Sequence, residues 1–81
     1  MKMKVKLNTS ADVTKFSILA SMCNNEVWAT GKDISRKQDI MINAKSMQGL
    51  YDLNLDEPIN VEFFGNVPSE VKEGMKNFIV N

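Results

Sequence analysis

Residues 2–8 read Lys-Met-Lys-Val-Lys-Leu-Asn. Met3, Val5 and Leu7 alternate with Lys2, Lys4 and Lys6, and a period of two marks a β-strand with one buried face and one wet face. The pattern then changes. Asn8-Thr9-Ser10 puts three good helix-capping residue types together. Val13, Phe16, Leu19, Ala20 and Cys23 follow at helical spacing, flanked by Ile18 and Met22. This is an amphipathic helix of about 12 residues ending near Asn24-Asn25. A strand with one apolar face, followed at once by a helix with one apolar stripe, predicts a sheet covered by helices on one side.

Further along, Glu26-Val27-Trp28-Ala29-Thr30 holds β-formers, and Gly31-Lys32-Asp33 reads as a turn. One strand lies within 26–38, with no register that the pattern fixes. Asp39 leads into the short strand Ile40-Met41-Ile42-Asn43. Residues 45–51, Lys-Ser-Met-Gln-Gly-Leu-Tyr, suit a short helix with Ser46 as its N-cap. Asn54 and Asp56-Glu57-Pro58 end that segment. Ile59, Val61 and Phe63 then alternate with Asn60, Glu62 and Phe64, a second clear strand. Gly65-Asn66 turns the chain, and Pro68 enters a first helical turn, where its missing N–H costs nothing. Val71, Met75, Phe78 and Ile79 form the last apolar stripe.

The predicted order is βαββαβα in one α+β domain spanning residues 1–81: a four-stranded antiparallel sheet with three helices on one face. The expected core draws on Met3, Val5, Leu7, Phe16, Leu19, Ile42, Val61, Phe63, Val71 and Phe78. Lys2, Lys4, Lys6 and Glu62 belong to the opposite, solvated face, where the lysines also discourage pairing at an edge.

Composition removes several kinds of function. The 81 residues include 10 Lys/Arg, 10 Asp/Glu, one cysteine and no histidine. A lone Cys23 on the apolar stripe makes neither an internal disulfide nor a multi-cysteine zinc site, and reads as a buried inert thiol. Without imidazole there is no Ser-His triad and no phosphohistidine. No paired carboxylates, metal cluster or nucleophile–base arrangement is visible, so no enzyme, catalytic residue, metal or cofactor is expected. No apolar run approaches the ~18 residues of a membrane span, and the N-terminus lacks the apolar stretch of a signal peptide, so a cytoplasmic protein is expected. Charge is uneven: residues 1–45 carry +4 and residues 46–81 carry −4. No segment interleaves aromatic and basic residues as a nucleic-acid platform does, and no direct nucleic-acid contact is expected.

Asn43-Ala44-Lys45-Ser46-Met47-Gln48-Gly49-Leu50 resembles the segment around the regulatory serine of HPr, the histidine-containing phosphocarrier of the bacterial sugar phosphotransferase system (PTS). The family pattern there is Asn-x-Lys-Ser, two apolar-leaning residues, Gly, and an apolar residue. The element order is similar to the HPr open-faced β-sandwich over essentially the whole chain. The departure is as informative. In the family the carrier histidine precedes the first helix, followed closely by an arginine and a proline. Counting back from Ser46 lands near Lys15, in Val13-Thr14-Lys15-Phe16-Ser17-Ile18, which holds none of the three. The resemblance is therefore to HPr-like proteins of catabolite repression, which lack the carrier histidine and keep the serine.

That resemblance implies a non-catalytic regulatory protein, phosphorylated at Ser46 by an HPr kinase and then bound by a LacI-type transcription regulator. A phosphate on a helix-capping serine meets free amides and the positive end of the helix dipole, and adds about −1.5 to −2 charges at pH 7. Met47, Leu50 and Tyr51 would supply an apolar docking surface, with Gln48, Lys45 and Lys15 as polar and cationic contacts. The alternative is an unmodified protein–protein interaction module of the same fold. Either would be a monomer or weak dimer with no membrane contact.

Overall fold

A computed structural model describes residues 1–80. Its elements run β1 (Lys2–Val5), α1 (Ser10–Ser21), β2 (Val27–Lys32), β3 (Asp39–Asn43), α2 (Met47–Tyr51), β4 (Ile59–Phe63) and α3 (Ser69–Met75). The strands form one antiparallel sheet in the order β1-β4-β2-β3. The helices lie on one face, so the architecture is the open-faced sandwich read from the sequence. No described helix is long and apolar enough to cross a membrane.

Side-chain alternation fixes which face is covered. Val5, Val27, Ala29, Ile59, Val61 and Phe63 are buried beneath the helices, joined by Leu7, Val13, Phe16, Ala20, Val71 and Phe78. Phe16 of α1 meets Phe78 edge-to-face, ring centres 6.2 Å apart at 81°, a favourable aromatic geometry. Met3, Leu19 and Ile42, expected in the core, sit only half-buried at its margin.

Several local expectations are corrected. The first strand stops at Val5. The Lys6 amide donates to Phe78 O at 2.9 Å, and the Val80 amide donates to Lys4 O at 2.9 Å. The chain's last described residues therefore lie along the outer edge of β1. Lys6 has left the open face: its ammonium donates to Asn8 Oδ1 (2.9 Å) and Leu55 O (3.0 Å). Gly31-Lys32-Asp33 is not a turn. β2 continues through Lys32, and Gly31 packs close to β4, where a Cβ would stand 3.1 Å from Ile59 Cγ2. The turn is built by Asp33, whose Oδ1 accepts from Ser35 N (2.8 Å), Ser35 Oγ (2.7 Å) and Arg36 N (2.9 Å). Pro68 is the N-cap of α3 and not part of its first turn, and its carbonyl accepts from Val71 N at 3.0 Å. α3 ends at Met75, so Ile79 leaves the apolar stripe and bridges to Val5 with its side chain exposed.

Candidate functional site

Ser46 stands where β3 hands over to α2. The Asn43 side chain accepts from the Lys45 amide at 2.9 Å, and the Asn43 carbonyl accepts from the Ser46 amide at 3.0 Å. This is an Asx turn, in which a short amide side chain substitutes for backbone. Ser46 then adopts extended backbone, and its Oγ accepts from Gly49 N at 3.1 Å. The hydroxyl is an N-cap on an exposed residue, as its sequence position predicts.

The turn is fastened to α1 at two points. Ser17 Oγ donates to Lys45 O at 3.2 Å, and Lys45 Nζ donates to Cys23 O at 2.7 Å, near the C-terminal end of α1. A cation there is well placed against the carbonyl end of the helix dipole. Lys45 is therefore a structural staple between α1 and the turn, and its ammonium points away from a role beside Ser46. Burial pushes the Cys23 thiol above its ordinary range, and the Lys45 charge offsets part of that rise. The thiol is neutral at pH 7, as expected of an inert buried cysteine.

The proposed contact residues divide. Met47, Gln48 and Tyr51 are exposed. Leu50 is 0% exposed and belongs to the core, so it offers no docking surface. Leu50 is the residue of this five-residue helix that turns into the core, while Met47, one turn earlier, stays exposed at its margin. Lys15 is exposed on the second turn of α1; the residues that reach the Ser46 region from α1 are Thr14 and Ser17. Thr14 Oγ1, which donates to Ser10 O at 3.1 Å, lies 3.8 Å from Met47 Sδ.

Ile18 and Met22 flank the apolar stripe of α1. They follow Thr14 at intervals of one helical turn, and both are exposed, Ile18 at 58%. They run along the same side of α1 as Thr14, which touches Met47. At the other end of α2, Tyr51 helps line a groove of about 290 Å³ with Ile34, Ser10 and Leu55. Ile34 reaches this groove because its amide donates to Asp52 O at 2.8 Å, which binds the Asp33 turn to the end of α2.

No protein-family model, curated protein or solved structure matches the chain.

Proposed function

We propose that the protein is an HPr-like regulator of bacterial sugar uptake or carbon catabolite control. In this reading it acts in the cytoplasm, has no enzymatic activity and takes no part in phosphohistidine transfer. Ser46 is its switch: a kinase of the HPr kinase type adds a phosphoryl group, and the modified surface is bound by a protein such as a LacI-type transcription regulator. The observation that carries the reading is the exposed Ser46 hydroxyl, held at the start of α2 by an Asn-x-Lys-Ser turn. The βαββαβα order and the neighbouring Met47 surface support it.

The test is incubation with HPr kinase and ATP, read by intact mass. The chain should gain the mass of one phosphoryl group, and Ser46→Ala should gain none. An unmodified wild-type chain overturns the reading. In the companion experiment, phosphoenolpyruvate and the first enzyme of the sugar system should leave the mass unchanged; an acid-labile adduct would overturn the non-carrier assignment.

A second reading is favoured by exposed Ile18, Met22 and Met47, which need no phosphate to attract an apolar partner. Here the protein is an unmodified docking module. Partner binding that is equal in wild type and Ser46→Ala, with or without kinase, selects it.

A further inference from the structure

Hydroxyl side chains inside a helix ordinarily turn back on it, and two in α1 do so. Thr14 Oγ1 donates to Ser10 O at 3.1 Å and Ser21 Oγ donates to Ser17 O at 2.9 Å, each reaching the carbonyl four residues earlier. Ser17 departs from this pattern. It is 6% exposed and buried on the side of α1 that carries Val13, Phe16 and Ala20. Its Oγ donates out of the helix, to Lys45 O at 3.2 Å. A buried hydroxyl needs a partner, where an alanine at the same place would need none. The partner of Ser17 is the peptide group that leads into Ser46.

That peptide group is held at both ends. Its carbonyl accepts from Ser17, and its N–H, the Ser46 amide, donates to Asn43 O at 3.0 Å. A peptide group is planar and stiff, so holding its C=O and its N–H sets the direction in which the chain enters Ser46. Beyond it, Ser46 Oγ accepts from Gly49 N at 3.1 Å. As an acceptor there the hydroxyl keeps its own proton, which no described residue takes up in a hydrogen bond. The oxygen therefore has a fixed place and a proton free to leave.

We infer, resting on the reading of Ser46 as the phosphorylated residue, that Ser17 is a positioning residue for it. From beneath the surface Ser17 holds the Lys45–Ser46 peptide so that the Ser46 hydroxyl meets a kinase already aligned. In the step it serves, Ser46 Oγ bonds to the γ-phosphorus of ATP while the bond from that phosphorus to the β–γ bridging oxygen breaks. The hydroxyl proton passes to a base of the kinase, and ADP leaves. Alignment of the attacking oxygen counts for much in such an in-line displacement. Ser17 is too deeply buried for a kinase to touch, so any influence it has on phosphoryl transfer passes through the turn.

Ser17→Ala removes one oxygen and leaves a better helix former, so the variant folds. Its comparison is Thr9→Ala, which removes the cap at the start of the same helix and leaves the Ser46 turn alone. With HPr kinase and ATP at varied chain concentration, Ser17→Ala should lower kcat by about three- to tenfold, the worth of one hydrogen bond in alignment. KM should stay unchanged, and in the unmodified chain the Ser46 amide should exchange faster by a similar factor. Loss of folded substrate alone has the opposite signature, a higher apparent KM with kcat unmoved. Thr9→Ala should keep the wild-type kcat and the wild-type exchange at Ser46.

Ser17→Ala phosphorylated at the wild-type kcat, or with its loss in KM alone, overturns the inference and leaves the reading of Ser46 standing. So does an equal fall in kcat in Thr9→Ala, or a Ser46 amide whose exchange Ser17→Ala does not change. A wild-type chain that gains no phosphoryl group overturns both together.

Discussion

Ser46 joins a structural role to the proposed regulatory one, and the two separate on substitution. Ser46→Ala removes the acceptor for Gly49 N, and losing such a cap costs about 1 kcal/mol, measurable as a lower denaturant midpoint. Ser46→Asp should keep the fold, since aspartate also caps, but support only partial partner binding because it lacks the three phosphate oxygens. Asp33 offers a pH test. Its carboxyl is held below the ordinary range, first by the Arg36 amide and then by the hydroxyl and amide of Ser35. The charged form is favoured in the fold, so this stabilisation is present above the unfolded value of about 3.9. It is lost as pH falls through the lower folded value. Asp33→Asn should therefore melt with a flatter pH dependence below about pH 4 than wild type. The role of Ser46 as a cap was legible because Asn43, Lys45 and Ser46 are local in sequence. The fates of Lys45 and Leu50 were not: Lys45 is held by Ser17 and Cys23, more than twenty residues away, and Leu50 by burial in a core assembled from the whole chain.

Elements whose signals reinforce one another were read correctly. At α1 the cap and the apolar spacing agree, and the structure adds a capping box in which Thr9 Oγ1 accepts from Asp12 N at 3.1 Å. Thr9→Ala should cost about 1 kcal/mol and fray the first turn, seen as faster amide exchange at Asp12 and Val13. A strand is legible within 26–38 and β2 lies there, but Gly31-Lys32-Asp33, a glycine followed by polar residues, carries a turn signal that tertiary packing overrides. Gly31 packs closely against Ile59 on the adjacent strand, a neighbour that the local sequence cannot report. Gly65 is the opposite case: it has φ of 69°, and a Cβ there would run into the Asn25 carboxamide. Gly65→Ala places a side chain on a left-handed backbone and should cost about 1–2 kcal/mol, with the exposed Asn25 carboxamide swinging aside. Thermal melting of the variant checks this.

At the scale of the whole molecule, Phe63 on central strand β4 is 2% exposed, and Phe63→Ala should cost roughly 3–5 kcal/mol. Typical total stabilities are about 5–15 kcal/mol, and a domain this small lies toward the lower end, so the variant should be partly unfolded at 37 °C by circular dichroism. The covered face was legible because each strand carries its own alternation. The open face was not: Trp28, Met41 and Phe64 come from separate segments, and only strand register gathers them. The attachment of residues 78–80 to β1 bears on how a ribosome delivers this chain. Lys2–Val5 leave the tunnel ahead of both their partners, β4 on one side and the Phe78–Val80 segment on the other. α1 can wind as it emerges, because its backbone hydrogen bonds are local, but β1 must wait for β4 and for residues 78–80. The β2–β3 hairpin can pair earlier, but the sheet closes only once β4 and residues 78–80 have arrived, and until then the nascent chain displays unpaired strand edges.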